Sequence, residues 1–235
     1  MSSIKHEFCI VLSKTSHPGN IGACARAMKT MDITDLRLVQ AVSEKDPVAY
    51  ARSSGAEDVI FNAKHFNSLS DAVSDCHVVF GTSGRARSHI SPHLVLADEL
   101  PLFLTQSYTS PQKIALVFGN EKNGLDNNDL SLCHHQITVP TSSHFKSLNL
   151  ASCVQLICFL VFNHQSTNTQ ISSFTNKAAH AQIHALNATI SSLAFNKNIQ
   201  KSQLDAQKLL QILLRLSLSS DEVNFLHGIF NRISH

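Results

Sequence analysis

Three segments of the chain join a polar or glycine-containing turn to a helical pattern. They span residues 17–28, 116–125 and 140–154, and each contains side chains that could hold a polar ligand. Backbone N–H groups at the start of a helix point away from it and favour polar or negatively charged partners. Three such turns in one chain predict a single composite pocket, built from loops that are far apart in sequence.

Two of the glycine-containing loops directly follow predicted strands. Residues 81–84 follow an apolar run at 77–80, and Gly119 follows another at 113–118. In open α/β sheets, ligands bind just beyond the carboxyl ends of the strands. Neither a GxGxxG nor a GxxxxGK[ST] pattern occurs, so the loops do not support a dinucleotide fingerprint or a P-loop.

Cysteine and histidine spacing does not favour a metal centre. The six cysteines show no CxxC spacing, and Cys133-His134-His135 has no second ligand cluster at a suitable distance along the chain. We therefore predict no metal ion, and we interpret the cysteines as small buried side chains in a reducing compartment. The spacing of the fourteen histidines indicates no function for them, and we expect most of them on the surface.

Short apolar runs alternate with helical patterns over the first 162 residues. This alternation predicts an α/β fold with a mostly parallel sheet and helices on both of its faces. The predicted strands lie at 8–12, 36–39, 58–61, 77–80, 113–118 and 136–139. The predicted helices lie at 21–31 (entered through a turn at 18–20), 69–73, 126–132 and 148–162.

The α/β pattern ends near Phe162, where a polar stretch without periodicity begins. We predict a domain at 1–163, a linker at 164–175 and a helical C-terminal extension at 176–235, in which Ser219 and Glu222 form a capping box. Residues 161–235 contain six basic and three acidic residues, a net charge of +3 that is too small to identify a partner.

Composition limits the class of protein. A hydrophobic content of 43% and a charged content of 15% are typical of a folded domain with a sizeable core. The longest apolar run, at 148–162, is shorter than the roughly 20 residues that a membrane span needs. No signal peptide opens the sequence, so we expect a cytoplasmic protein without a membrane partner.

Taken together and in order, the three segments resemble the motifs of the SPOUT class of knotted RNA methyltransferases. Within that class they are most similar to the TrmH-like ribose 2′-O-methyltransferases. The similar stretches are 20–27, 118–125 and 139–152, and the resemblance covers residues 6–162. Residues 16–22, 54–58 and 81–87 look like the TrmJ-type group, which methylates the ribose of nucleotide 32 in the tRNA anticodon loop. The resemblance of the helical extension is looser.

The resemblance implies a C-terminal trefoil knot in the sheet domain, a rare exception to the rules of chain connection. It also implies a homodimer that acts on tRNA and binds S-adenosylmethionine through three loops. Carried over residue by residue, the cofactor-binding positions are Thr82, Ser83, Gly84, Gly119, Val139, Lys146, Ser147 and Leu148.

The resemblance assigns the catalytic step to one arginine and four positioning side chains: Arg26, Asn20, Glu121, Ser147 and Asn149. A ribose hydroxyl is a poor nucleophile that must be deprotonated or oriented. Because a guanidinium has no acceptor atom, we interpret Arg26 as binding the ribose or phosphate and stabilising the developing alkoxide. A carboxylate at a helix start and an asparagine cap are also structural roles that Glu121 and Asn149 could fill.

Arg85 and Arg87 follow the 81–84 loop two residues apart, so an extended loop would direct both toward RNA phosphates. Three alternatives remain open at this point. The chain could modify ribosomal RNA or another tRNA position, it could bind RNA without catalysis, or it could be a general α/β nucleotide-binding module.

Overall fold

The chain forms one parallel sheet flanked by helices, followed by a helical extension. This computed structural model describes residues 4–84, 93–167, 177–196 and 203–233. The strands are β1 (Glu7–Ser13), β2 (Asp35–Val39), β3 (Lys64–Phe66), β4 (Val78–Thr82), β5 (His93–Leu96), β6 (Lys113–Phe118) and β7 (His135–Thr138). The helices are α1 (Pro18–Lys29), α2 (Pro47–Ser53), α3 (Glu57–Phe61), α4 (Leu69–Ala72), α5 (Leu100–Ser107), α6 (Asn127–Ser131), α7 (Leu150–Thr167), α8 (His180–Asn196), α9 (Gln203–Arg215) and α10 (Ser220–Ile233).

The sheet has seven strands in the order β3-β2-β1-β6-β4-β7-β5 within the described residues. Every strand pair is parallel, with Val11 opposite Val117 in the β1–β6 pair and Phe80 opposite Leu116 in the β4–β6 pair. The predicted α/β fold with a parallel sheet is therefore confirmed. All strands begin at one edge of the sheet, the amino edge, and end at the other, the carboxyl edge.

Both faces of the sheet are buried, which explains why its strands are apolar throughout. On β1, Ile10 and Leu12 belong to one core cluster, while Cys9 and Val11 belong to another. Helices α1 and α7 contribute to the first cluster, and helices α4 and α6 to the second. The prediction of helices on both faces is confirmed, and all six cysteines are free thiols, five of them buried.

Two local predictions were wrong. Residues 58–61 form part of α3 rather than a strand, because Glu57 and Asp58 in the first turn favour a helix start and a four-residue apolar run does not distinguish the two structures. Residues 18–20 are the first turn of α1 rather than a turn before it. Pro18 suits that position because it needs no N–H there, and His17 Nδ1 accepts a hydrogen bond from Gly19 N at 3.0 Å.

Helices α2 and α5 and strands β3 and β5 were not predicted, and α8 was predicted only as an unspecified part of the helical extension at 176–235. The two strands are only three and four residues long and end the sheet on either side. Such short edge strands carry too little periodic pattern to be recognised from one sequence. Within the described ranges, none of the helices combines the length and the apolar character that crossing a bilayer requires.

Helix α7 continues to Thr167, so the first four residues of the predicted 164–175 linker are helical. Residues 168–176 lie outside the described part of the chain. The described part of the chain resumes at residue 177, and its helices α8, α9 and α10 form the helical extension that was predicted. The predicted capping box at the start of α10 is confirmed, since Glu222 Oε2 accepts from Ser219 N at 2.7 Å and Glu222 N donates to Ser219 Oγ at 3.2 Å.

The helical extension docks on the amino edge of the sheet. His180 N donates to Cys76 O at 2.8 Å and Ala181 N donates to Ser74 O at 3.3 Å, both in the segment that precedes β4. His180 Nε2 lies 2.7 Å from Leu132 O, just before β7. The extension therefore contacts the edge of the sheet opposite to the one where the glycine-containing loops lie.

The expectation that most histidines lie on the surface was wrong for a set at this amino edge. His6, His134, His135 and His180 are all buried. Two of them accept hydrogen bonds from the main chain, His6 Nδ1 from Gln112 N at 3.1 Å and His134 Nδ1 from Val79 N at 3.1 Å. An imidazole that is neutral can be buried at modest cost when such bonds satisfy it, so these histidines join strand starts to one another.

Candidate active site

Three loops meet at the carboxyl edge of the sheet, after the adjacent strands β6, β4 and β7. Main-chain and side-chain hydrogen bonds tie them together. Ser83 N donates to Ile137 O at 3.0 Å, Thr82 Oγ1 donates to Val117 O at 3.0 Å, and Thr138 Oγ1 donates to Ser83 O at 2.9 Å. These bonds hold the start of each loop in a defined position beside its neighbours.

The loops enclose a cavity of about 480 Å³, within the usual size range for a small-molecule site. Every position that the resemblance assigned to the cofactor lines it: Thr82, Ser83, Gly84, Gly119, Val139, Lys146, Ser147 and Leu148. Glu121 lines it as well. The composite-pocket prediction is therefore correct for the segments at 116–125 and 140–154, which meet the loop at 81–84 in this cavity. It was wrong for the segment at 17–28, which supplies no lining residue and contacts the cavity wall through Glu121.

The β6 loop is compact because it folds back on itself at Gly119. A Cβ atom at Gly119 would lie 2.1 Å from both the carbonyl carbon of Gly124 and the amide nitrogen of Leu125. Gly124 itself has a φ of 68°, in the left-handed region that favours glycine. Asn120 closes the turn, since its carbonyl accepts from Gly124 N at 2.8 Å and its Nδ2 donates to Lys14 O.

Replacing Gly119 by alanine is expected to destabilise the protein by about 1–3 kcal/mol and to abolish ligand binding in the cavity, because main-chain atoms of the turn must move apart. Thermal unfolding and calorimetric titration with S-adenosylmethionine would measure both effects. Gly228→Ala is the matched control, since a Cβ there meets nothing within 4 Å. A Gly119→Ala protein that binds as tightly as wild type would contradict this account of the loop.

Glu121 links the β6 loop to the start of α1. Its carboxylate accepts hydrogen bonds from Ser16 N at 3.0 Å, from His17 N at 3.2 Å and from Asn20 Nδ2 at 2.9 Å. Burial raises the pKa of the Glu121 carboxyl, but the hydrogen bonds from Asn20 and Ser16 outweigh it and hold this pKa below its ordinary value. The carboxylate is thus ionised near neutral pH and fixes the α1 N-terminus to the cavity wall.

The remaining assigned residues lie around the cavity rather than in it. Asn20 reaches the cavity wall only through Glu121. Asn149 caps α7, with its Oδ1 accepting from Ala151 N at 2.9 Å, which matches the structural role considered for it. Arg26 is exposed on α1 and lines a separate groove between α1 and α7. Arg85 and Arg87 lie outside the described residues.

Sequence reasoning missed several residues of the cavity. The polar ones are Asn120, Lys122, Asn123 and Thr141, and the apolar ones include Ile137, Leu150 and Cys153. Asn120 and Lys122 stand within the motif at 118–125, so their proximity to Gly119 was a usable signal. Burial raises the pKa of the Cys153 thiol to about 11, so this side chain is protonated at neutral pH and does not act as a nucleophile.

Comparison with known proteins agrees with this arrangement of sheet and loops. Residues 7–159 match the model of the SpoU rRNA methylase family. The chain is 36% identical over 233 residues to an uncharacterized tRNA/rRNA methyltransferase of Haemophilus influenzae, covering 95% of this chain and 93% of the relative. It is 34% identical over 238 residues to the tRNA (cytidine/uridine-2′-O-)-methyltransferase TrmJ of Sodalis glossinidius, covering 98% and 92%.

A solved structure has the same overall fold. TrmJ from Z. mobilis superposes with a TM-score of 0.82 at 25% sequence identity, covering 97% of this chain and 99% of that one. The family match spans the whole sheet domain, including all three loops of the cavity. The chain belongs to the SpoU rRNA methylase family and is a methyltransferase.

Proposed function

We propose that the protein is an S-adenosylmethionine-dependent tRNA ribose 2′-O-methyltransferase that acts on cytidine or uridine at position 32 of the anticodon loop. One observation carries the proposal. All eight residues assigned to the cofactor from the sequence motifs line a single cavity at the carboxyl edge of the sheet. The relative from Sodalis glossinidius, similar over nearly its whole length, is named for the same reaction on tRNA.

The chemistry of the cavity suits S-adenosylmethionine. Ile137, Leu148 and Leu150 offer apolar contact for a flat ring, and the loop main chain around Gly84 and Gly119 offers donors and acceptors. When bound, the cofactor supplies a methyl group on a positively charged sulfur, which becomes neutral on transfer. The reaction therefore needs no Lewis acid, and we propose that no metal takes part.

The assigned positioning residues then have distinct tasks. Ser147 lines the cavity and is available to orient the ribose, while Glu121 and Asn20 hold the α1 N-terminus against the cavity wall. Asn149 fixes the start of α7 directly after the loop that carries Ser147. Arg26 orients the target ribose or phosphate and stabilises the negative charge that develops on the 2′-oxygen.

Because Arg26 lines a groove outside the cavity of its own chain, we propose that it completes the site of a second subunit. The groove of about 740 Å³ lies between α1 and α7 and includes the partly exposed Leu156 and Phe159. A two-fold homodimer is the commonest way to cover such a face. We propose that the dimer interface and a trefoil knot both lie in the sheet domain, residues 1–163.

Replacing Phe159 by glutamate is expected to yield an inactive monomer, because a charge in the groove opposes burial of this face. Light scattering at micromolar concentration and a methylation assay with tRNA would measure the two effects. Phe61→Glu is the matched control, since Phe61 is 82% exposed and does not line the groove. A fully active monomer would contradict a shared active site.

The helical extension, residues 176–235 by the sequence analysis, docks opposite to the proposed site in the same chain. We propose that it is a separate structural unit of a cytoplasmic enzyme. A variant made to test whether the extension is a separate unit should keep the chain through Thr167. Gln165 Nε2 donates to His6 O at 2.7 Å, and this bond helps to hold α7 on the sheet domain.

Mapping of 2′-O-methyl groups tests the proposed function. Purified protein, S-adenosylmethionine carrying a labelled methyl group, and tRNA transcripts with either cytidine or uridine at position 32 should give label at that ribose. A transcript with a 2′-deoxyribose at position 32 is the control and should give none. Label at a different ribose of the anticodon loop would show that another tRNA position is the substrate. Label on ribosomal RNA, offered in a parallel reaction, and none on tRNA would show that ribosomal RNA is the substrate. Absence of transfer to any RNA would contradict the reaction itself.

A further inference from the structure

Two arginines share the groove between α1 and α7. Arg26 comes from α1 and Arg52 from the last turn of α2, and both line the groove together with Leu156 and Phe159. The groove has no Asp or Glu among its lining residues. Within the part of the chain that the structure describes, neither arginine takes part in an ion pair. This surface therefore presents two positive charges without a matching negative charge.

The close packing of α1 on α2 brings these arginines together. A Cβ atom at Gly22 of α1 would lie 1.9 Å from Ala49 O of α2, so the two helices touch at main-chain distance. Arg26 lies four residues after Gly22, and Arg52 lies three residues after Ala49. Each arginine therefore extends from the helical turn next to the point of contact.

Lys29, a neighbouring cation on α1, differs from the two arginines because its charge is paired within the chain. Lys29 Nζ, one turn further along α1, contacts Asp58 Oδ1 at 2.7 Å and Gly55 O at 2.9 Å. Its charge is thus matched within the chain, and it also holds the segment that follows α2. Because both guanidinium groups line the same groove, an anion bound there would meet two positive charges. Arginine binds phosphate through two parallel N–H donors, which suits a phosphodiester group.

We propose that Arg52 is a positioning residue that binds a phosphate of the RNA backbone next to the nucleotide held by Arg26. The inference rests on the proposed function: it assumes that the second subunit covers the apolar side chains Leu156 and Phe159, while the two arginines face RNA at the shared site. In this division of tasks, Arg26 contacts the reacting ribose and Arg52 fixes the strand on one side of it. Arg52 acts on the affinity for RNA and on its register rather than on the methyl-transfer step.

The test compares Arg52→Ala, Arg52→Lys and wild type in binding of a tRNA transcript at salt concentrations from about 50 to 200 mM. Arg52→Ala should weaken binding about tenfold and lower the slope of log affinity against log salt by about 1, as loss of one phosphate contact requires. The KM for tRNA should rise by a similar factor, with the larger share of the loss in KM rather than kcat. Arg52→Lys should keep the salt slope and recover part of the affinity.

Lys5→Ala is the matched control, because it removes one exposed positive charge at the amino edge, away from the groove. It should leave the salt slope unchanged. Arg52→Ala protein that binds tRNA with wild-type affinity and slope, while wild type methylates tRNA, would overturn this inference and leave the proposed function intact. Dissociation of Arg52→Ala into monomers would overturn it too, since Arg52 would then be a contact between subunits. Wild-type protein that neither binds nor methylates tRNA would overturn both.

Discussion

Replacing Arg26 by alanine is expected to slow methyl transfer by about 10²–10³-fold, the usual effect of removing one group that stabilises a developing negative charge. The affinity for S-adenosylmethionine should change little, because Arg26 does not line the cofactor cavity of its own chain. Arg26→Lys should also fail, since an ammonium group cannot reproduce the planar pair of donors. Single-turnover methylation at saturating tRNA, together with calorimetry of cofactor binding, separates these effects.

A subunit-mixing experiment tests where Arg26 acts. Arg26→Ala protein and a Leu148→Arg variant, whose cavity is blocked, should each be inactive alone. After unfolding and refolding together, random pairing in a two-fold dimer should restore about one quarter of the active sites if Arg26 serves the partner's cavity. No recovery in dimers of confirmed mixed composition would mean that Arg26 acts within its own chain. Near-normal turnover by Arg26→Ala alone would contradict its role altogether.

Lowering the pH from 7.5 to 5 is expected to destabilise the protein by several kcal/mol through the buried histidines of the amino edge. Burial, with help from the charge of Lys177, lowers the pKa of His6 to about 4 and that of His135 to about 3. Burial also lowers the pKa of His180 to about 3. The unfolded chain, with a histidine pKa near 6.5, binds protons over this range and the folded chain does not.

Because the unfolded chain binds these protons and the folded chain does not, the free energy of unfolding falls as the pH falls. Stability is fully present above pH 6.5 and is lost as the pH falls toward the folded-state pKa values, at about 2 kcal/mol per histidine by pH 5. Three such residues sum to about 6 kcal/mol, which is a large part of the 5–15 kcal/mol stability of a typical domain. Burial also holds the pKa of His134 well below its ordinary value, so this residue adds to the same effect.

Urea unfolding followed by circular dichroism at several pH values would measure this dependence. His180→Asn should make the free energy of unfolding less steeply dependent on pH, because one proton-binding group is removed. His144→Gln is the control, since His144 is exposed on the loop before α7. A free energy of unfolding that is constant between pH 7.5 and 5 would contradict the burial of neutral imidazoles at the sheet edge.

The sequence alone determined the features that depend on local pattern. Continuous apolar runs such as residues 114–118 predicted buried parallel strands, and glycines directly after them predicted a ligand pocket at the strand ends. Eight residues that line this pocket were assigned from the sequence, because three motifs had the order and spacing of a known family. Asn149 was recognised as a possible cap because an asparagine directly before a helix can accept hydrogen bonds from the N–H groups of its first turn.

Tertiary structure decided what depends on distance across the chain. It placed Arg26 outside the proposed cofactor cavity and in one groove with Arg52, where α1 packs on α2 at Gly22 and Ala49. It made a helix of residues 57–61, where an apolar run fits either structure until its neighbours are known. It buried His6, whose Nδ1 accepts a hydrogen bond from Gln112 N, and His180, whose Nε2 donates to Leu132 O. A neutral imidazole can be buried when distant parts of the chain supply such partners, and no periodicity along one sequence records them.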